Sequence, residues 1–298
     1  MVGLLLGSRD IYGGMNYVQE LDHMDDAGEM GKLLEKEKKR FAGSEIAGKT
    51  LGVVGLVAIG SIIANLGLEL GMDVIGYDPA ISVEAAWRLS GRVARMENLQ
   101  ALLAKADFVT LHVPAIPATK DLINSETLAL MKSSAKILNF AREQIVNTEA
   151  MVAALDKGVI AGYISDFPVP ELLGRKDVLL MPHIGASTAE AEENCAVMAA
   201  NQLMDFIENG NIKNSVNFPS TKMARNGGTR LTFCNSNVPK VLGNVLSILA
   251  DFELNVVDMV NKSRNEVAYN IIDVEGELSD EIVDQIQQVD GVMRIRVI

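Results

Sequence analysis

The stretch Leu51-Gly52-Val53-Val54-Gly55-Leu56-Val57-Ala58-Ile59-Gly60 decides how the chain is read. Leu51–Gly55 is a short apolar run of the kind that forms a buried parallel strand, and a helical pattern follows over 60–71. Between them stands a glycine-spaced turn. In the pattern G-x-G-x-x-G that opens a dinucleotide-binding βαβ unit, the first glycine makes the tight turn. The second lets backbone approach the pyrophosphate, and the third lets the helix pack on the strand. Gly55 and Gly60 fill the first and third places, and Val57 stands in the second. Asp78 ends the next strand, at the spacing of the carboxylate that accepts from the adenosine ribose hydroxyls; an acid there favours NAD over its 2′-phosphorylated form. The alternative is an α/β sheet with a glycine-rich turn and no ligand.

Outward from this unit, strands are expected at 73–77, 108–112, 136–140, 161–165 and 178–181. Helices are expected between them at 99–104, 125–130 and 148–157, and a long one at 189–209. Such alternation gives an α/β fold with a doubly wound parallel Rossmann sheet and helices on both faces. Before it, 4–20 reads as one helix and 25–41 as a second, charged one. After it, Asn214 to Thr229 holds Asn, Ser, Pro, Lys and a Gly-Gly pair without periodicity, which reads as a linker. Strand 230–234, helix 241–251, strands 255–261 and 266–275, helix 280–288 and strand 293–298 then follow in the order βαββαβ, a ferredoxin-like unit. The expected domains are a helical lead-in (1–48), the Rossmann domain (49–213), the linker (214–228) and the ferredoxin-like domain (229–298).

Composition narrows the function classes. A length of 298 residues suits two domains, and with aromatics at 5% the cores must be filled by Val, Ile, Leu and Ala. The net charge of −12 argues against nucleic acid. The one basic run, Lys36 to Arg40, lies in an alternating-charge stretch that reads as an exposed helix with i,i+4 ion pairs. Cys195 and Cys234 form no CxxC and no disulfide pattern, so a reducing, cytoplasmic setting is expected and no metal site is. Thr50 to Leu68 carries no charge and approaches the ~20 residues of a membrane span, yet its glycines divide it into strand, turn and helix. Met1–Gly7 is too short for a signal peptide, with Arg9 and Asp10 following at once. Neither membrane insertion nor secretion is expected.

Four blocks carry a family resemblance: Lys49 to Pro79, Leu111-His112-Val113-Pro114, Asn139-Phe140-Ala141-Arg142, and Pro182-His183-Ile184-Gly185-Ala186-Ser187-Thr188. In order and spacing they resemble the D-isomer specific 2-hydroxyacid dehydrogenases, in their phosphoglycerate-oxidising branch. The resemblance implies NAD-dependent oxidation of D-3-phosphoglycerate to 3-phosphohydroxypyruvate, in serine biosynthesis, by a homo-oligomer. His183 matches the base that takes the hydroxyl proton as hydride leaves, and imidazole exchanges protons near neutral pH. Arg142 matches the guanidinium that grips the substrate carboxylate in a bidentate fork. The carboxylate that orients the histidine falls at Pro170, which leaves Glu171, one residue late, as the candidate. Gly55, Ala58, Ile59, Gly60, Asp78, Pro114, Ala141, Asp166 and Gly185 match positions that line the cofactor. The last domain resembles the ACT domains of the same enzymes, and Asn235, Asn237 and Asn255 match positions that contact a serine effector. The alternative is a domain used only for dimerisation.

Departures from the family pattern carry their own expectations. Members begin with a longer segment that builds most of the substrate domain, so the chain reads as N-terminally truncated. Without those positioning groups an orientation term of several kcal/mol is lost. Val57 sets a branched side chain where pyrophosphate would meet backbone, and Glu143 replaces the glycine after the arginine. Lys240 and Glu253 likewise replace glycines. A second reading follows, in which the chain is an inactive truncated paralogue that oligomerises or senses a small molecule.

Overall fold

A computed structural model describes residues 1–298, apart from the side chain of Glu84. The chain forms two units, Met1–Ala186 and Ser187–Ile298.

The first unit is built on seven parallel strands: β1 (Thr50–Val54), β2 (Asp73–Tyr77), β3 (Ala94–Arg95), β4 (Phe108–Leu111), β5 (Lys136–Asn139), β6 (Gly162–Ser165) and β7 (Val178–Leu180). Their order is β3-β2-β1-β4-β5-β6-β7. The direction of winding therefore reverses between β1 and β4, which pair in register from Leu51↔Phe108 to Val54↔Leu111. Helices α1 (Val2–Ser8), α2 (Ile11–Gln19), α3 (Ala27–Glu37), α4 (Ala58–Glu69), α5 (Val83–Ala86), α6 (Leu99–Lys105), α7 (Ser125–Leu128) and α8 (Thr148–Asp156) complete it. One core cluster gathers Leu102, Val109, Ile137 and Met151; the other gathers Leu51, Val53, Ala64 and Ile164, with Leu4 of α1. Central strands buried on both faces explain the near-continuous apolar runs of the sequence.

The helix expected over 4–20 is two. Arg9 is extended, and the Asp10 carboxylate caps α2 by accepting from Gly13 N–H at 2.9 Å. A capping carboxylate satisfies an orphan amide that a continuous helix would not leave open. The two-residue β3 and the one-turn α5 were not expected, because neither is long enough to show a period.

The second unit opens with α9 (Ala189–Asn209), which ends on Gly210 at φ +69°. Strands β8 (Thr229–Ser236), β9 (Val256–Arg264), β10 (Val267–Val274) and β11 (Val292–Val297) form an antiparallel sheet in the order β11-β8-β10-β9. Together with α10 (Val241–Asp251) and α11 (Asp280–Gln287) this is the ferredoxin-like βαββαβ arrangement. Leu231, Phe233, Val245, Leu249 and Ile286 fill the layer between the sheet and the two helices. The segment after α9 is pinned: Thr221 and Met223 are buried, and Met223 N–H donates to Asn211 Oδ1 at 3.0 Å.

Four non-glycine residues of this unit stand in the left-handed region, Asn214 and Asn265 among them. Lys240 has φ +76° and Glu253 φ +57°. Glu253 follows α10 in a Schellman turn, with Glu253 N–H bonded to Ala250 O at 2.9 Å and Leu254 N–H to Leu249 O at 3.0 Å. A left-handed L-residue costs roughly 1–2 kcal/mol. Lys240→Gly and Glu253→Gly are each expected to stabilise the unit by about 1 kcal/mol, seen as a rise in the thermal unfolding midpoint.

Candidate active site at the carboxyl edge of the parallel sheet

The candidate residues of the first unit lie on the loops, turns and first helical turn that follow the carboxyl ends of the strands. In open α/β sheets ligands bind in the crevice outside these ends, at the reversal of strand order. Gly55 leaves β1 at φ +87°, and a Cβ there would lie 2.6 Å from the His112 carbonyl oxygen. A Cβ on Gly60 would lie 1.8 Å from the Gly55 carbonyl oxygen. Both glycines are therefore required by the turn itself. Val57 is the residue that caps the start of α4, and its side chain is 54% exposed. The first turn of α4, with Ala58 and Ile59, has no side-chain cap, which leaves its amides open to an anion. The Asp78 carboxylate accepts from Leu56 N–H at 2.8 Å and from Ala80 N–H at 2.9 Å. It is thereby fixed at the end of β2 with acceptor capacity left over.

His112 follows β4. Its Nε2 lies 2.9 Å from Thr110 Oγ1, and burial lowers its pKa from 6.5 to about 4. The folded protein thus holds the ring neutral. This contribution is complete above pH 6.5 and is lost as pH falls through 6.5 toward 4, where the unfolded chain binds the extra proton. The slope expected there is up to about 1.4 kcal/mol per pH unit. A His112→Asn variant should lack this acid-side decline in urea unfolding followed across that window.

The other half of the edge holds the polar side chains. Asn139, fully buried at the end of β5, accepts from Ala141 N–H at 3.2 Å and donates to the Arg142 carbonyl at 2.9 Å. It shapes the turn that presents Arg142 to solvent. The guanidinium there donates to the Ala141 carbonyl at 2.7 Å. Asp166, buried after β6, accepts from Ile184 N–H at 2.9 Å and from Gly185 N–H at 2.7 Å, while its carbonyl accepts from His183 N–H at 3.0 Å. This clamp holds His183 at φ +57°. A non-glycine residue in that region is retained only when its surroundings over-determine it, and such residues gather at functional sites. The exposed imidazole lies 5.1 Å, centroid to centroid, from the Phe167 ring.

The structure therefore brings Arg142, Asp166 and His183 to one edge with Gly55, Gly60, Asp78, Pro114, Ala141 and Gly185. Glu171 is not joined to His183: it lies exposed in the 3-10 turn Pro170–Leu172. Pro170 starts that turn and Leu172 is its buried residue, so Glu171 is directed outward. Among the described residues no carboxylate forms an ion pair with His183. Asn139 and Phe167 were not singled out for roles by the sequence. The signal for Asn139 was a lone polar residue closing an apolar strand.

In the second unit the three asparagines separate. Asn235 is buried and accepts from Asn270 Nδ2 at 2.7 Å. Asn237 and Asn255 are exposed, donating to Asn265 O and Glu275 Oε2, each at 3.0 Å. Among the described residues no His/Cys/Asp/Glu group is arranged to hold a metal ion, and no helix is long and apolar enough to cross a membrane.

The glycine turn, the open first turn of α4 and the fixed Asp78 carboxylate fit a dinucleotide, with Val57 the tight point. Fold and edge together define a dinucleotide-binding α/β domain. The sequence signature described as D-isomer specific 2-hydroxyacid dehydrogenase, NAD binding domain, matches residues 13–185, and the chain belongs to that family. It is 33% identical over 273 residues to the D-3-phosphoglycerate dehydrogenase of Haemophilus influenzae, covering 88% of this chain and 65% of that one. It is 41% identical over 203 residues to the Synechocystis enzyme of the same name, covering 66% and 36%. The chain thus spans between about a third and two thirds of the length of these relatives. Among solved structures it is similar to the NAD-complexed D-isomer specific 2-hydroxyacid dehydrogenase of Lactobacillus delbrueckii ssp. bulgaricus. That match has a TM-score of 0.56 at 26% identity, over 72% of this chain and 66% of that one.

Proposed function

We propose that the chain serves in the NAD-dependent oxidation of D-3-phosphoglycerate to 3-phosphohydroxypyruvate, at the entry to serine biosynthesis. The observation that carries this reading is the convergence of Arg142 and a clamped His183 on the edge that holds Gly55 and Asp78. NAD, when bound, supplies the acceptor for the hydride. Asp78 holds the adenosine ribose, and the first turn of α4 faces the pyrophosphate. Arg142 grips the substrate carboxylate, its guanidinium fork fixing the carbon to be oxidised. His183 Nε2 or Nδ1 takes the hydroxyl proton, and the Phe167 ring sets the imidazole plane. Asp166 positions His183 and Gly185 through the backbone. The relatives bearing the phosphoglycerate name support the substrate.

The βαββαβ unit is an ACT-like regulatory domain in this reading. A serine effector would be held by the exposed Asn237 and Asn255, since Asn235 is committed to Asn270. A homo-oligomer is proposed for the active form, in a reducing cytoplasm, where the free Cys195 and Cys234 are at home.

A second reading is favoured by one observation: His183 has no carboxylate partner among the described residues. On that reading the chain binds NAD without turnover. An assay of NADH formation from D-3-phosphoglycerate separates the two. Steady turnover that depends on Arg142 supports the dehydrogenase. NADH binding with no turnover supports the second reading.

A further inference from the structure

The second unit carries a half-open cavity of about 600 Å³ that the site above does not use. It lies on the side of the sheet opposite α10 and α11, because Thr232 and Cys234, which line it, alternate along β8 with the core residue Leu231, and Tyr269 stands on the opposite face of β10 from the core residue Ile272. Its walls are Leu203 and Phe206 of α9, Ile212 and Phe218 of the following segment, and Tyr269 of β10. The rings of Phe206 and Phe218 stand 6.5 and 6.1 Å from that of Tyr269. The volume falls in the range of roughly 300–1,000 Å³ that takes organic ligands in mostly apolar clefts.

The charged groups of the lining are all cations: Lys213, Arg294 and Arg296. Arg296 is fixed, its guanidinium 4.7 Å over the Phe206 ring and bonded to the Phe206 and Ile207 carbonyls at 3.3 and 2.9 Å. Lys213 and Arg294 are exposed and form no ion pair among the described residues. Three cationic residues line an apolar cavity in a chain of net charge −12, and no carboxylate shares the lining. The Cys234 thiol is on the wall, with its pKa raised by burial.

We propose that this cavity binds an amphiphilic monocarboxylate, its aliphatic or aryl body against the rings and its carboxylate on Arg294 and Lys213. Burial of the body supplies roughly 25 cal/mol per Å² of apolar surface, and the charge-assisted hydrogen bonds select the acid over a neutral alcohol of equal length. The site is separate from the dinucleotide edge and stands whether or not the chain turns over phosphoglycerate.

Calorimetric titration with decanoate, and with decanol as the neutral control, tests it on the full chain. One saturable site for decanoate is expected, at least tenfold tighter than for decanol. A Lys213→Gln, Arg294→Gln double variant should weaken decanoate at least tenfold and leave decanol unchanged. In a Cys195→Ser background, decanoate should slow maleimide labelling of Cys234. Cys234→Trp, which fills the cavity, should abolish binding while circular dichroism stays native; if that variant does not fold, the charge variant decides. The proposal is overturned if decanol binds as tightly as decanoate, if the double variant binds decanoate undiminished, or if no saturable binding and no protection of Cys234 are seen.

Discussion

Arg230→Ala is expected to lower the stability of the second unit by about 3–5 kcal/mol, the cost typical of stranding one partner of a buried ion pair. Arg230 is fully buried and Asp273 is 1% exposed. The guanidinium donates to the Asp273 carboxylate through Nε at 2.6 Å and Nη2 at 2.7 Å. It also donates to the carbonyls of Asn209, Met223 and Ala224 at 2.9, 3.1 and 2.8 Å. All five N–H groups of the side chain are thus used. The residue ties the end of α9 and the segment after it to β8 and β10. Alanine would leave a buried carboxylate and three carbonyls without their donor. Lysine, with three donors and no fork, should recover only part of the loss. Urea unfolding followed by circular dichroism, with hydrogen exchange read on β8 and β10, measures it. A loss below about 1 kcal/mol, the level of an exposed pair, would contradict this account.

On the proposed function, His183→Asn should reduce the turnover number for D-3-phosphoglycerate by about 10²–10⁴, the usual worth of a positioned general base. KM should change little, because on that proposal Arg142 and not His183 holds the carboxylate. The opposite split is expected for Arg142→Gln, with KM rising more than the turnover number falls. NADH affinity should be unaltered in both variants, since neither side chain touches the cofactor-binding turn. If His183→Asn left turnover within a factor of a few, the proton would have another acceptor. Phe167→Leu is informative beside it: losing the ring contact should lower turnover without altering NADH binding.

Much of this was legible in the sequence because the parallel strands are buried on both faces and announce themselves as apolar runs. Leu51–Gly55 and the glycines around it placed the centre of the sheet, and Asp78 followed by spacing. The positions of Lys240 and Glu253 were legible as well: residues standing where glycine is expected turn out to have left-handed backbone. What stayed hidden depends on contacts across the chain. Asp166 was matched to the cofactor by resemblance, but its carboxylate is engaged with two amides eighteen and nineteen residues away, which no local pattern encodes. Glu171 was chosen as the nearest acid. Only the turn begun by Pro170, with Leu172 as its buried residue, reveals where the side chain goes. The break at Arg9-Asp10 was masked by apolar residues that keep helical spacing through it.

The most direct test of the central claim, that the carboxyl edge of the parallel sheet holds NAD, is fluorescence titration of the wild-type chain and of Val57→Gly with NADH. Micromolar binding by wild type is predicted, at least tenfold tighter than for NADPH because of Asp78, with a further gain of about tenfold in Val57→Gly as backbone replaces the branched side chain. Absence of NADH binding in both proteins, each shown to be folded by circular dichroism, would contradict it.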